Sequence, residues 1–267
     1  HTHFLPKSLL YVAGKPILGH ILDGLRDLDI SRIVIVLGTK GESIMQFCRQ
    51  YHYRFKFALQ TKRLGLGHAI YIGAQGLRGP TLVLLGDTII DYEFKSFAHG
   101  NVSKLAVKEV MEPKRFGIVE ARGENVTAVV EKPETPTSNL AIVGLYYFAA
   151  IENIYRAMAK IISQGIKTKD EYQLTDGLSY LLRQGETFKI TKITHWFDCG
   201  TPDALIMTNR HLLKKTHYFR KRKRTIVIAP VFMPDSVVVS DAIVGPDVSI
   251  GENVRIRNSI VRDSIVN

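Results

Sequence analysis

Between Ile17 and about Leu28 the apolar residues Ile17, Leu18, Ile21, Leu22, Leu25 and Leu28 fall three and four apart, the spacing of a helix with one buried stripe. The run IVIVLG from Ile33 to Gly38 is apolar throughout and short, which predicts a strand buried on both faces. A helix from Glu42 to Tyr51, a mixed segment to Gln60, a helix near His68 to Gln75 and an apolar strand from Thr81 to Leu85 follow. Strand alternating with helix predicts a Rossmann-like α/β domain whose central sheet is mixed but mainly parallel and covered on both faces. Past Asp91 the pattern changes to strands at Lys104 to Val110, Gly117 to Glu120, Val126 to Glu131 and Val143 to Phe148, separated by Pro and Gly turns. These extend the sheet and form a lobe over one end. Helices are expected at Ile151 to Ser163, Thr175 to Gln184 and Pro202 to Lys214.

The periodicity then changes again. Ile226, Phe232, Val238, Val244, Ile250 and Ile256 lie six apart and are all apolar, and Ala242, Val248, Val254 and Ile260 repeat the choice four places on. Ordinary strands would alternate with period two, so this is hexapeptide-repeat spacing, the mark of a parallel β-helix, expected here to be short and left-handed. The register fails at Arg262, and the solenoid is expected to continue beyond Asn267. The organisation read from the chain is a catalytic-type domain over 1–215, a basic linker over 216–225 and the β-helix over 226–267.

Composition narrows the class. With 267 residues, 45% hydrophobic and 23% charged, the chain can bury a large core. No apolar run has transmembrane length and the first ten residues lack a secretory layout, so a cytoplasmic protein without a membrane partner is expected. Cys48 and Cys199 are distant and belong to no CxxC or Cys/His cluster, which argues against a disulfide framework or zinc site. The formal charge of +11 raises the question of polyanions, but much of it sits in KKTHYFRKRKR at Lys214 to Arg224, and no nucleic-acid-binding signature accompanies it. A nucleic-acid partner is therefore not expected.

Two carboxylates stand out by position. Asp87 follows an apolar strand, at the sheet edge where open α/β folds place ligands, and Asp198 lies at a second strand-to-loop junction before Gly200. Carboxylates from distant segments suit a hard, oxygen-preferring ion such as Mg2+; a turn or helix cap is the plain alternative for either one alone. Lys7, taken by itself, is a surface lysine. Gly65 and Gly67 fit a flexible turn as well as a close approach to a ligand. Glu131 and Lys132 are adjacent at a strand end, so their side chains are expected to diverge. For Tyr146 and Trp196 a core role stands beside a binding one.

In chain order the sequence carries PKSLLYVAGKPIL from Pro6, Gln60 then GLGHAI from Gly65, LLGDT from Leu84, RFGIVE from Arg115, EKP from Glu131, GLYYF from Gly144, DEYQLTD from Asp170 and WFDCGTP from Trp196. Together these resemble the sugar-1-phosphate nucleotidyltransferase family, of the thymidylyl- and uridylyltransferase kind, over nearly the whole chain. The resemblance implies an enzyme using Mg2+ held by Asp87 and Asp198, with Lys7 stabilising the departing pyrophosphate. It implies a base pocket at Gln60 and Gly65, with Asp87 also on the nucleotide side. It implies a sugar-phosphate pocket of Gly117, Glu131, Lys132, Tyr146, Lys169, Glu171 and Trp196, with Glu131 on sugar hydroxyls and Lys132 and Lys169 on the phosphate. The implied substrates are a nucleoside triphosphate, dTTP or UTP favoured, and a sugar 1-phosphate, glucose favoured. The sugar phosphate is already anionic and needs no side-chain nucleophile, so no Ser/His/Asp triad is expected, and His68 is expected to pack at a helix start.

The family opens with a strand and a Gly-rich loop carrying a catalytic Arg, and His1 stands just past that point. The sequence as written is expected to bind nucleotide poorly, since backbone N–H groups of such a loop cradle phosphates. The rival reading is a catalytically inactive regulatory or scaffold subunit. A hexapeptide acyltransferase would need a histidine in the coils, and residues 225–267 contain none. The coils are expected to mediate regulation or a homo-oligomer.

Overall fold

The computed structural model describes residues 5–39 and 41–267. The first four positions, part of the segment read as lacking a secretory layout, lie outside them. The chain packs as two units: a larger one of residues 27–85 and 91–196, and a smaller one of residues 5–26, 86–90 and 197–267.

In the larger unit six strands form one sheet in the order Thr81–Leu84, Leu140–Phe148, Ser103–Glu109, Phe188–Lys192, Asn125–Glu131 and Gly117–Arg122. Leu140–Phe148 is apolar on both faces and is buried along most of its length, as a central strand must be. It runs antiparallel to both neighbours, Thr81–Leu84 and Ser103–Glu109, and so separates two strands that point the same way. Phe188–Lys192 pairs parallel with Ser103–Glu109, and antiparallel with Asn125–Glu131. The sheet is mixed as expected, but the expectation of mainly parallel pairing is corrected, because the returning strand sits between its co-directional neighbours. A separate parallel pair joins Ile33–Leu37 to Phe55–Leu59 in unbroken register. The mixed segment before Gln60 therefore contains a strand.

Helix Ile151–Ser163 buries Ile151, Ile154, Ala157, Met158 and Ile161, one face at helical spacing. Helix Leu174–Arg183 contributes Leu174, Leu178 and Leu181 to the same core, which also holds Leu105, Val107, Val119, Phe148 and Phe188 from the sheet. Among the described residues no helix is long and apolar enough to cross a membrane.

In the smaller unit the C-terminal strands stack in three parallel sheets, each built from successive coils. Thr225 pairs with Ala242, Val231 with Val248 and Val238 with Arg255, so one coil takes 17 residues. In the next coil Ile243 still pairs with Ile260, 17 residues on, but Val248 pairs with Ser264, only 16 on. A strict six-residue repeat over three faces would take 18, and the drift explains why the expected repeat leaders do not share one environment. Val244, Ile250 and Ile256 are buried, whereas Ile226 and Val238 are 60% and 47% exposed. What recurs faithfully is the corner: Arg224, Asp241 and Asn258 are all left-handed, as are Asp247 and Asp263. Asp and Asn tolerate that conformation better than other side chains, which places them where the chain must turn.

Helix Pro202–Thr216 begins at Thr201, whose Oγ1 accepts from the Ala204 N–H at 3.3 Å, with Pro202 in the first turn and Lys214 and Lys215 in the last. It packs on the coils, and Asn209 ties three segments of this unit together: Oδ1 accepts from the Ala13 N–H at 2.9 Å and Nδ2 donates to the Asp247 carbonyl at 3.2 Å. The basic segment is bound to the coils as well, with Arg220 and Arg222 paired to Asp235 and Arg224 to Asp241.

Candidate active site

The smaller unit holds Lys7, Asp87 and Asp198. Lys7 opens a short 3-10 turn, Lys7–Leu9, after Pro6 and is exposed. Asp87 sits in the turn between Thr81–Leu84 and the strand Thr88–Asp91, and Asp198 ends the strand His195–Asp198, which pairs with Thr88–Asp91. The Cys199 N–H donates to the Asp87 carbonyl at 3.0 Å, which brings the two aspartates side by side. Asp198 Oδ1 accepts from the Gly200 N–H at 3.1 Å. Burial, then the nearby Asp198 charge, raise the Asp87 carboxyl above the usual carboxylate range, and Lys7 opposes this. Two carboxylates brought together against their own repulsion are the donor set a hard cation accepts. No cluster of three or more His, Cys, Asp or Glu suited to a metal occurs among the described residues. Cys48 and Cys199 are buried free thiols, each pushed up to about 11, chiefly by burial.

In the larger unit Gln60 follows the strand Phe55–Leu59. Its Nε2 donates to the Gly65 carbonyl at 3.2 Å and lies 3.0 Å from His68 Nδ1. The five-residue spacing from Gln60 to Gly65 is thus the reach of one side-chain hydrogen bond. Gly65 has φ +103, and a Cβ there would meet the Tyr172 carbonyl at 2.7 Å. That crowding comes from the chain itself, so the glycine is required by packing whatever approaches from outside. His68 does stand in the first turn of helix Leu66–Gly73 as expected, but it also braces Gln60.

A second group in this unit gathers most of the residues expected around the sugar phosphate. Gly117 pairs with Glu131 in the antiparallel ladder. A Cβ at Gly117 would meet Thr175 Cγ2 at 2.8 Å and Glu131 Oε2 at 3.1 Å, so the glycine makes room for the carboxylate. The Glu131 side chain is 10% exposed. Thr175 Oγ1 donates to its Oε2 at 2.9 Å, and Lys132 Nζ stands 3.7 Å from Oε1. The expectation that Glu131 and Lys132 diverge is corrected: Lys132 has φ +40, which ends the strand and turns its ammonium back toward its neighbour.

Lys169 and Asp170, both left-handed, form the tight turn of a small hairpin in which Thr168 and Glu171 exchange backbone hydrogen bonds of 3.0 and 3.3 Å. Lys169 Nζ lies 3.9 Å from Glu134 Oε1. Glu171 is exposed, with Oε2 accepting from Gln173 Nε2 at 3.2 Å. Tyr146 is 4% exposed and stacks on Phe148 within the core; burial, then the Glu131 charge, hold its hydroxyl far above the usual tyrosine range. Trp196 packs edge-on against Phe116 at 5.3 Å, and its buried indole N–H has no partner among the described residues.

Sequence reading passed over the residues that support this group. Gln173 also donates to the Thr168 carbonyl at 3.4 Å, and Asp176 Oδ1 accepts from Thr168 Oγ1 at 3.0 Å. Burial raises the Asp176 carboxyl, while Thr168 and the Gln173 N–H oppose the rise. Asp176 stands three residues after Gln173, the cap of helix Leu174–Arg183, and an acid in the first helical turn is the sequence signal that marks this turn.

The family model of the nucleotidyl transferases matches residues 2–215. The chain is 32% identical over 215 residues, 80% of its length, to the bifunctional protein GlmU of Methanocaldococcus jannaschii, 51% of which is covered. It is 28% identical over 275 residues to a glucose-1-phosphate thymidylyltransferase of Streptomyces griseus, with 97% of this chain and 76% of that one covered. A candidate glucose-1-phosphate thymidylyltransferase of Bacillus anthracis, solved in complex with sucrose, superposes with a TM-score of 0.68 at 24% identity, covering 82% of this chain and 91% of that one, which establishes the likeness of fold. The chain spans about half the length of the GlmU relatives it matches.

Proposed function

Because the chain belongs to the nucleotidyl transferase family, we propose that it transfers a nucleotidyl group from a nucleoside triphosphate, dTTP or UTP, to a sugar 1-phosphate, with glucose 1-phosphate the first candidate. The observation that carries this reading is the pair Asp87 and Asp198 held together beside Lys7. Like charges are brought together at a cost, and a cation is what removes it. Asp87 and Asp198 would hold Mg2+, which supplies a counter-charge for phosphate oxygens. A phosphate oxygen of the sugar attacks the α-phosphorus in line, the bond to the bridging oxygen breaks, and pyrophosphate leaves with that electron pair.

The side chains then act by position and charge. Lys7 offers a compact positive charge to the leaving pyrophosphate. Glu131 is a nearly buried carboxylate with one protein hydroxyl donor and one lysine beside it, which suits further hydroxyl donors from a sugar. Lys132 and Lys169 supply cations for the sugar phosphate. We take the coils to wind left-handedly, as hexapeptide-type stacks with such corners do.

Pyrophosphate release by the full-length protein, with Mg2+, glucose 1-phosphate and dTTP, UTP, ATP or GTP in turn, tests the reading. Release is expected with dTTP or UTP, and Asp87→Asn should lower it by about 10²-fold or more, the scale of losing one electrostatic element of a transition-state site. No release with any nucleotide or other sugar 1-phosphate would replace the enzyme by a non-catalytic subunit.

A further inference from the structure

Gln60 is held in one sense by its two neighbours. The Gly65 carbonyl can only accept, so the carboxamide atom facing it at 3.2 Å is the nitrogen. The second hydrogen of that nitrogen is directed at His68 Nδ1, 3.0 Å away, which makes Nδ1 the acceptor and places the ring proton on Nε2. Both hydrogens of the amide are then used within the protein. Oε1 takes no hydrogen bond from the described residues and is left to accept from outside. Burial lowers the His68 pKa, which keeps the ring neutral and Nδ1 free to accept.

We propose that His68 is a positioning residue that fixes the Gln60 carboxamide with its oxygen outward and thereby selects pyrimidine bases presenting an N–H at position 3. Uracil and thymine offer that donor. Cytosine carries a lone pair in the same place, and two acceptors would face each other with neither able to turn, because rotating the amide would set its oxygen against the Gly65 carbonyl. Discrimination of this kind, built on a site that leaves its own polar group unpaired with the wrong ligand, is stronger than a size filter. The inference rests on the nucleotidyl-transfer reading and adds to it the residue that sets the base class.

The test compares kcat/KM for UTP and CTP, with glucose 1-phosphate and Mg2+, in the full-length protein and two variants. His68→Phe keeps the ring and removes the acceptor; the UTP/CTP ratio should fall about tenfold or more, with the loss in UTP falling on KM rather than on kcat. His68→Asn places an amide oxygen near the position of Nδ1 and should hold the ratio within about threefold of the wild type. Without any turnover, the ring 15N signals of the unliganded protein should show His68 as the Nε2–H tautomer, and Gln60→Leu should move the Nδ1 signal. An unaltered ratio in His68→Phe, or an Nδ1–H tautomer, overturns the role of His68 and leaves nucleotidyl transfer standing. Absence of transfer by the wild type with every nucleotide removes the transfer reading itself and the base selection with it.

Discussion

His20, on the helix Ile17–Gly24, donates its Nε2–H to the Val12 carbonyl at 2.8 Å. Burial is the largest influence on it and lowers its pKa; the bond to Val12 and the charge of Asp23 pull the other way, and Lys15 adds to the lowering. A histidine held neutral in the folded state contributes stability that is complete above the unfolded value, near pH 6.5, and is lost as pH falls through the lowered folded value. The melting temperature is therefore expected to drop between pH 7 and pH 5, and His20→Gln should flatten that drop; equal slopes in the two proteins would remove His20 as its source. Thr175 is a second residue whose importance is local. Thr175→Val withdraws the one hydroxyl donor to the nearly buried Glu131 and is expected to cost roughly 1–3 kcal/mol, the penalty of an acceptor left unpaired. A urea titration checks that figure, and on the transfer reading KM for the sugar 1-phosphate should rise.

Elements show where pattern reading succeeds and where neighbours decide. Ile151–Ser163 was legible to the residue because its apolar face repeats at helical spacing through three turns. Phe55–Leu59 and Phe188–Lys192 were not legible, since FKFAL and FKITK are short and mix lysine with apolar residues. Each becomes a strand through a partner remote in sequence, Ile33–Leu37 for the first and Ser103–Glu109 for the second. The helix expected to reach Leu28 ends at Gly24, in keeping with the low helix propensity of glycine, although Leu25 stays buried. The junction between Leu64–Gly67 and Tyr172–Gln173 is similarly a matter of packing: the Tyr172 N–H donates to the Leu64 carbonyl and its carbonyl accepts from the Gly67 N–H, both at 2.8 Å. Gly65→Ala would put a Cβ against that backbone at a left-handed position, and a loss of roughly 1–3 kcal/mol is expected from strain of this kind. Denaturant unfolding of the variant measures it, and a cost near zero would show that the segment can shift.

On the scale of the molecule, the packing groups residues 5–26 with the C-terminal coils. A Cβ at Gly14 would strike the Phe232 ring at 2.5 Å, and helix Pro202–Thr216 buries Leu212 and Leu213 while lying on the coils. A chain ending at Lys215 is expected to expose that surface and aggregate, as light scattering would register; a monodisperse protein with native melting would show that the coils are dispensable.

The sequence by itself determined the family, the mixed α/β class and the existence of parallel coils. These depend on local periodicity and on motifs whose order along the chain carries information. Tertiary structure decided the rest, because it depends on which distant segments share a face. It set antiparallel neighbours into the sheet, made the coils 16 or 17 residues long through their left-handed corners, and turned Lys132 back onto Glu131. It also joined His68 to Gln60, a hydrogen bond across eight residues that no spacing rule anticipates, because its direction is set by the Gly65 carbonyl, which can only accept.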